Sequence, residues 1–453
     1  MTQLTEPLAP IAPSVSIDIP KEYNFGPTVL QPSLQPASKL AKRGVEVASL
    51  VTTADTSCPS HPNSNGSPPS PLDALEEFKG CFRGFGFNTI FRPGSRRTPT
   101  IFDKKPTDTN DDNVLQLNLT SETQTFGNSL GEIPNRGLFD QADIDLTGFP
   151  YTQTIIDAMP PREGDNAEPP IIHFEPGLWM RVPKVEHMPE LSASFCRMGS
   201  IPHGTTINAQ GFSPAITSEG APDIPSIDIT PILIPTQGKF VIEEAKRIPF
   251  NSQTATDNAS RRLPQDLTTF MENGTITQEI LNNPNTILAN ANTGKTIIKN
   301  TMFIVSTIPP PNAFGGGTSN IGFNVGADGG QRTASNKDKS GNANAVDVTV
   351  QYWVSQVRAE IKLDPSMQVG QKVSPAALHP RDTVPEFYLD EGVTIPSCPT
   401  TVTVVYPQIQ YSQLVFLDFN GLKWPHVTVA TLAPIVQNKK PTLSSVIEKK
   451  SSE

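Results

Sequence analysis

Val348-Thr349-Val350-Gln351-Tyr352-Trp353-Val354 and Thr401-Val402-Thr403-Val404-Val405-Tyr406 decide the fold class. Unbroken runs of β-branched and aromatic side chains pack well on a pleated sheet and poorly around a helix. Working outward from them, Leu115, Leu117 and Leu119 alternate with Gln116, Asn118 and Thr120, the period of a half-buried strand. Phe82, Phe85, Phe87, Ile90 and Phe91 form an aromatic strand that carries Gly84 and Gly86. Gln413 to Phe419 and Val427 to Leu432 continue the pattern. Short strands punctuated by Gly, Asn and Pro predict a mainly β chain, an antiparallel barrel or a sandwich. Helical signals are local. Thr275-Ile276-Thr277-Gln278 fits a capping box ahead of Ile280 and Leu281. Asn283-Pro284 offers an N-cap and a first-turn proline before Ile287 and Leu288. Two short helices are therefore expected inside an excursion of residues 213–300.

With 46 prolines in 453 residues, long helices and coiled coils are excluded as the main architecture. Residues 1–70 are rich in Pro, Ser and Thr and poor in aromatics, so they cannot bury enough apolar area to offset ordering entropy. They read as a disordered arm ahead of a β-barrel domain over residues 71–435, and residues 436–453 read as a flexible tail. A net charge of -10 without a basic stripe argues against a nucleic-acid or anionic-membrane surface. No apolar run is long enough to span a bilayer, and Met1 to Pro20 lacks a basic region followed by an apolar one. Cys58, Cys81, Cys196 and Cys398 lie far apart with no CxxC pair, which predicts reduced thiols and a cytoplasmic location. The partner these features leave is a small-molecule ligand. Composition does not fix an oligomeric state.

Several familiar signals fail on inspection. Gly84-Phe85-Gly86-Phe87-Asn88-Thr89 begins like a dinucleotide fingerprint but lacks the third glycine and lies in a strand. Gly294-Lys295-Thr296 resembles the end of a phosphate loop, yet Ala289 stands where the first glycine is required. No GxSxG elbow or HExxH motif occurs.

Three histidines sit in unusual surroundings. Trp424-Pro425-His426 opens the last predicted strand, and alternation puts His426, Thr428 and Ala430 on one face. A neutral imidazole facing an apolar interior suits an axial haem ligand; a rim histidine bonded to backbone is the plainer reading. His203, between Pro202 and Gly204, belongs in a tight turn, where it or His173 either lies over a bound cofactor or serves turn chemistry. Glu175 and Arg197 equally fit a structural ion pair across neighbouring strands.

Four stretches, in order, resemble the nitrobindin-like haem-binding β-barrels, relatives in shape of the fatty-acid-binding proteins and lipocalins. Gly80-Cys81-Phe82-Arg83-Gly84-Phe85-Gly86 resembles their first-strand Gly-x-Trp-x-Gly-x-Gly signature, with Phe82 in place of the tryptophan. His173-Phe174-Glu175-Pro176-Gly177-Leu178-Trp179 is similar to a His-x-Glu-x-Gly-aromatic strand, and Arg197 to Gly211 resembles the strand that follows. Leu422-Lys423-Trp424-Pro425-His426-Val427 is similar to the closing strand whose histidine ligates the iron. The resemblance implies ferric haem b on His426 as metal ligand, with Trp424, His173, Phe82 and Trp179 as cofactor-binding residues. It implies binding of nitric oxide, peroxynitrite isomerisation or peroxidase-like chemistry, for which His203 and Arg197 are the candidate catalytic pair. The alternative is a non-enzymatic lipocalin-like carrier of an apolar small ligand.

Overall fold

A computed structural model describes residues 72–92, 113–160, 168–185, 192–233, 247–257, 261–310, 315–320, 344–419 and 422–448. The expected arm over residues 1–70 lies outside them. In chain order the strands are β1 (Gly80–Arg92), β2 (Val114–Phe126), β3 (Glu132–Asn135), β4 (Ile144–Asp157), β5 (Ile171–Val182) and β6 (Ser194–Ser200). They continue as β7 (Thr205–Gln210), β8 (Ile216–Glu219), β9 (Ile232–Leu233), β10 (Arg262–Leu263), β11 (Thr296–Ser306) and β12 (Gly317–Asn320). The last five are β13 (Asn344–Leu363), β14 (Lys372–Val373), β15 (Phe387–Tyr388), β16 (Thr400–Phe419) and β17 (Leu422–Ile435). Three short helices, α1 (Thr268–Glu272), α2 (Gln278–Asn282) and α3 (Thr286–Ala291), complete the described elements together with two 3-10 turns.

Ten strands close into an antiparallel barrel in the order β1, β17, β16, β13, β11, β7, β6, β5, β4, β2, with β2 pairing back to β1. The sandwich is thereby excluded. One seam is interrupted on both sides. β11 meets β7 at a single pair, Ser306 with Gln210, while β8 continues the β7 side and β12 continues the β11 side. Gly316 bends the chain back into the sheet at φ 78°, where a Cβ would stand 2.6 Å from the Thr307 carbonyl.

Three cores follow. The first lies inside the barrel, and at one end Leu72, Leu75 and Phe78 of the entering turn pack on Phe82, Phe126, Phe149, Trp179 and Phe303. The Phe78 ring lies 5.0 Å from Phe126 and 5.6 Å from Trp179, edge-to-face contacts each worth about 0.5–1.5 kcal/mol beyond area burial. The second core is outside the barrel. Leu115, Leu117, Leu119, Phe87, Phe91, Val427 and Val429 face outward and are covered by Ile229, Leu267, Ile276, Ile280, Leu281 and Leu288 of the excursion. The third covers the far ends of β13 and β16, with Val357, Ile361 and Val404 against Phe387, Leu389 and Leu443.

Two sequence expectations change here. The excursion proper is shorter than 213–300, because Ile216–Glu219 and Thr296–Ser306 both return to the sheet. It holds three helices, with Thr277 rather than Thr275 capping α2 through a bond from the Ile280 amide at 3.3 Å. The described part of the expected tail, up to Glu448, is packed: Leu443 is fully buried, and Arg358 pairs with Glu448 at 2.7 Å. Its lysines disguised an apolar Leu443-Val446-Ile447 face that completes the third core. Among the described residues no helix is long and apolar enough to cross a membrane.

Candidate functional site

Alternation along β5 turns His173, Glu175, Gly177 and Trp179 into the barrel, and β6 adds Phe195, Arg197 and Gly199 beside them. Arg197 is buried and every guanidinium nitrogen is engaged. Nε donates to Tyr151 Oη at 2.9 Å and Glu175 Oε1 at 3.1 Å, and Nη1 donates to Tyr352 Oη and Gln413 Oε1, both at 2.9 Å. Nη2 donates to Gln153 Oε1 at 3.1 Å and Glu175 Oε2 at 2.7 Å. A buried charge persists only when paired and hydrogen-bonded, and both conditions are met. Burial alone would raise the Glu175 pKa, but Arg197 and bonds from His173 and Tyr151 outweigh it and bring it to about 2. Glycine at 199 makes the space: a Cβ there would stand 2.2 Å from Glu175 Oε1 and 2.9 Å from Tyr151 Oη.

A second carboxyl lies next to this network without a cation of its own. Glu122 on β2 accepts from Tyr411 Oη and Gln124 Nε2, both at 2.6 Å, and from Gln153 Nε2 at 2.9 Å. Burial raises its pKa, against the opposing pull of those bonds and of His173. Gln153 thus joins Glu122 to Arg197, and the polar network spans the barrel wall to wall above the aromatic end.

His426 enters from the opposite side. On β17 it pairs across to Ile90 of β1 and Val415 of β16 and shares their inward face. β17 stands four steps from β5 round the ring one way and six the other, so His426 and His173 project from nearly opposite walls. The partly buried His426 ring makes no hydrogen bond among the described residues. Burial, with the charges of His173 and His203 adding to it, lowers its pKa to about 4, so the imidazole is neutral near pH 7. Below it on the same wall, Thr428 Oγ1 donates to Asn88 Oδ1 at 3.1 Å, and Asn118 Nδ2 donates to Asp157 Oδ2 at 2.9 Å.

Facing it, His173 Nε2 lies 3.2 Å from Glu175 Oε2, and the His203 ring stands edge-on to His173 with centroids 5.0 Å apart. His203 occupies the predicted turn, closed by the Gly204 amide on the Ile201 carbonyl at 2.9 Å, and is exposed. Burial of its ring and the charge of His173 lower its pKa.

The three histidines singled out in the sequence therefore converge on one end of the barrel. The other candidates do not join them. Phe82 and Trp179 belong to the aromatic end, and Trp424 lies outside the barrel, stacked on Phe250 at 5.6 Å. Arg197, paired with His203 as a catalytic candidate, has its donors committed to Glu175 and its neighbours, the structural ion pair that was its alternative. Lys295 of the phosphate-loop-like segment is likewise a brace, paired with Asp382 at 3.0 Å and donating to Gln408 Oε1 at 2.9 Å. Sequence reading passed over Asn88, Asn118, Glu122, Gln153 and Tyr411. Asn118 was seen in its alternating strand, but which face of that strand looks inward depends on the excursion covering the other.

Among the described residues no three His, Cys, Asp or Glu side chains gather as a bare metal-ion site requires. A haem needs one axial imidazole from the protein, and His426 offers it: neutral, inward and unbonded. Neither family models, nor curated proteins, nor solved structures gave a significant match to this chain.

Proposed function

We propose that this chain is a haem-binding β-barrel that holds ferric haem b on His426 and binds or transforms small oxidants such as nitric oxide, peroxynitrite or peroxide. One observation carries the reading: a neutral imidazole on the inward face with both ring nitrogens free of bonds to described residues. A neutral imidazole with unbonded ring nitrogens is available to ligate a metal centre that enters the barrel. The resemblance to nitrobindin-like barrels supports the same reading, since its four stretches fall on β1, β5, β6–β7 and β17 of a closed antiparallel barrel. With a single axial imidazole, haem keeps an iron position for a small ligand. The chain's own contribution is to set His173 and His203 on the wall facing His426 and to hold the polar network beneath them.

The alternative is a non-enzymatic carrier of an apolar ligand; the unbonded inward imidazole of His426 favours the first reading. Titrating the purified protein with hemin and recording the visible spectrum tests it. A shifted Soret band in the wild type, lost in His426→Ala, is the expected outcome. An unshifted band, or a shift that survives the substitution, overturns it.

A further inference from the structure

We propose that His173, oriented by Glu175, accepts the proton when a weak protic acid binds in the barrel as its anion; this rests on the haem reading above. His203 and Arg197 are the sequence's candidates for acid–base work, and the geometry moves that role to His173. Arg197 has its donors bound to five side chains on β4, β5, β13 and β16, leaving no open direction for a ligand. His203 is exposed on the rim with no hydrogen bond to a described residue to fix its tautomer.

His173 differs on both counts. Its Nε2 is held by Glu175 Oε2 at 3.2 Å, and Glu175 is fixed on its other side by Arg197 at 2.7 Å. An ionised carboxylate on one ring nitrogen keeps the proton there and leaves Nδ1 as the acceptor, without a partner among the described residues. The groups facing the ring are Glu175 on its own strand, His203 from the β6–β7 turn, Ile155 of β4, Glu122 of β2 and His426 of β17. Only the two carboxyls among these can balance a positive imidazole, and Glu175 is the one in contact with it.

The step balances simply. The H–X bond of the entering acid breaks with its electron pair staying on X. The proton passes to Nδ1, and the imidazolium is stabilised through Nε2 by Glu175, while X⁻ remains in the barrel. Dissociation reverses each transfer. Hydrogen cyanide, which is mostly protonated near neutral pH, is a probe that needs the step. Azide, which is mostly anionic there, is one that does not.

Stopped-flow binding of both probes to the hemin-loaded protein tests the assignment, and the Soret band of the cyanide-free protein shows whether loading is intact. His173→Gln is expected to slow cyanide association by about 10²- to 10⁴-fold, the usual contribution of a positioned base, with a far smaller effect on azide. A normal Soret band with wild-type cyanide kinetics in His173→Gln overturns this proposal and leaves the haem reading standing. No Soret shift in the wild type removes both. Should His173→Gln fail to load hemin, His173→Asn is measured in its place: slowed cyanide association with little change for azide supports the assignment, and wild-type cyanide kinetics refute it.

Discussion

Arg197 has two obligations: its charge must be matched, and its five N–H donors must find acceptors away from water. Glu175 meets the first and helps with the second; Tyr151, Tyr352, Gln153 and Gln413 supply the rest. Replacing Arg197 by Met therefore leaves Glu175 as an uncompensated buried charge. A loss of about 3–5 kcal/mol is expected in urea unfolding, and adding Glu175→Gln should return part of it, because the orphaned charge goes as well. A loss well below 1 kcal/mol would mean that water reaches the pair. Residue-level reading of the sequence had mixed success for a physical reason. The face that His426 shares with Thr428 and Ala430 was legible because strand alternation depends on local spacing alone, whereas the direction of His173 was not. The saturation of Arg197 was not, because its partners lie on β4, β5, β13 and β16, and their approach is a property of the closed ring.

At the level of elements, β2 shows how a correct strand assignment can leave the core in the wrong place. Its leucines, the apolar half of a clean alternation, face away from the barrel axis, while Asn118, Thr120, Glu122 and Gln124 face inward. The arrangement is stable because the excursion lays Ile280, Leu281 and Leu288 over the outward leucines. Leu281→Ala, at a position that is 1% exposed, is expected to cost about 2–5 kcal/mol by transfer and cavity terms. Thr277→Ala, which removes only the cap of α2, should cost about 1 kcal/mol. Chemical denaturation of both variants checks the ranking; a costlier cap than core residue would show that the excursion holds on by its helix ends rather than by its apolar face. Two of the three helices were legible, though their caps were not: Thr277 rather than Thr275 caps α2, and α3 follows Asn285, without a side-chain cap bond, rather than Asn283. That the helices form a second layer outside the barrel was not legible, since periodicity identifies an apolar face without saying what covers it.

The molecule as a whole should be acid-sensitive, and the sign follows from two groups. His426 has a folded pKa of about 4 against 6.5 unfolded, so between those values the unfolded chain binds the extra proton and stability falls as pH falls. Glu175, at about 2 folded against 4.5 unfolded, extends the loss to lower pH: its contribution is present above about 4.5 and disappears towards about 2. Glu122 acts in the other sense, since its raised pKa favours the folded state in acid. Thermal melts from pH 7 to pH 3 are expected to show a falling Tm, with the portion above about pH 4.5 flattened in His426→Ala. A Tm that rises on acidification over that range would assign the dominant role to Glu122.

The ring is closed by β1 against β17, the earliest and the latest of its strands, with Ile90 paired to His426. At roughly 5–20 residues per second on a ribosome, the partner of β1 emerges some tens of seconds after β1 itself. Throughout that interval the nascent chain carries an unpaired edge of Phe82, Phe85, Phe87 and Phe91 with open amide and carbonyl groups. The cylinder thus cannot latch until β17 has been made, and β1 keeps one open edge until then.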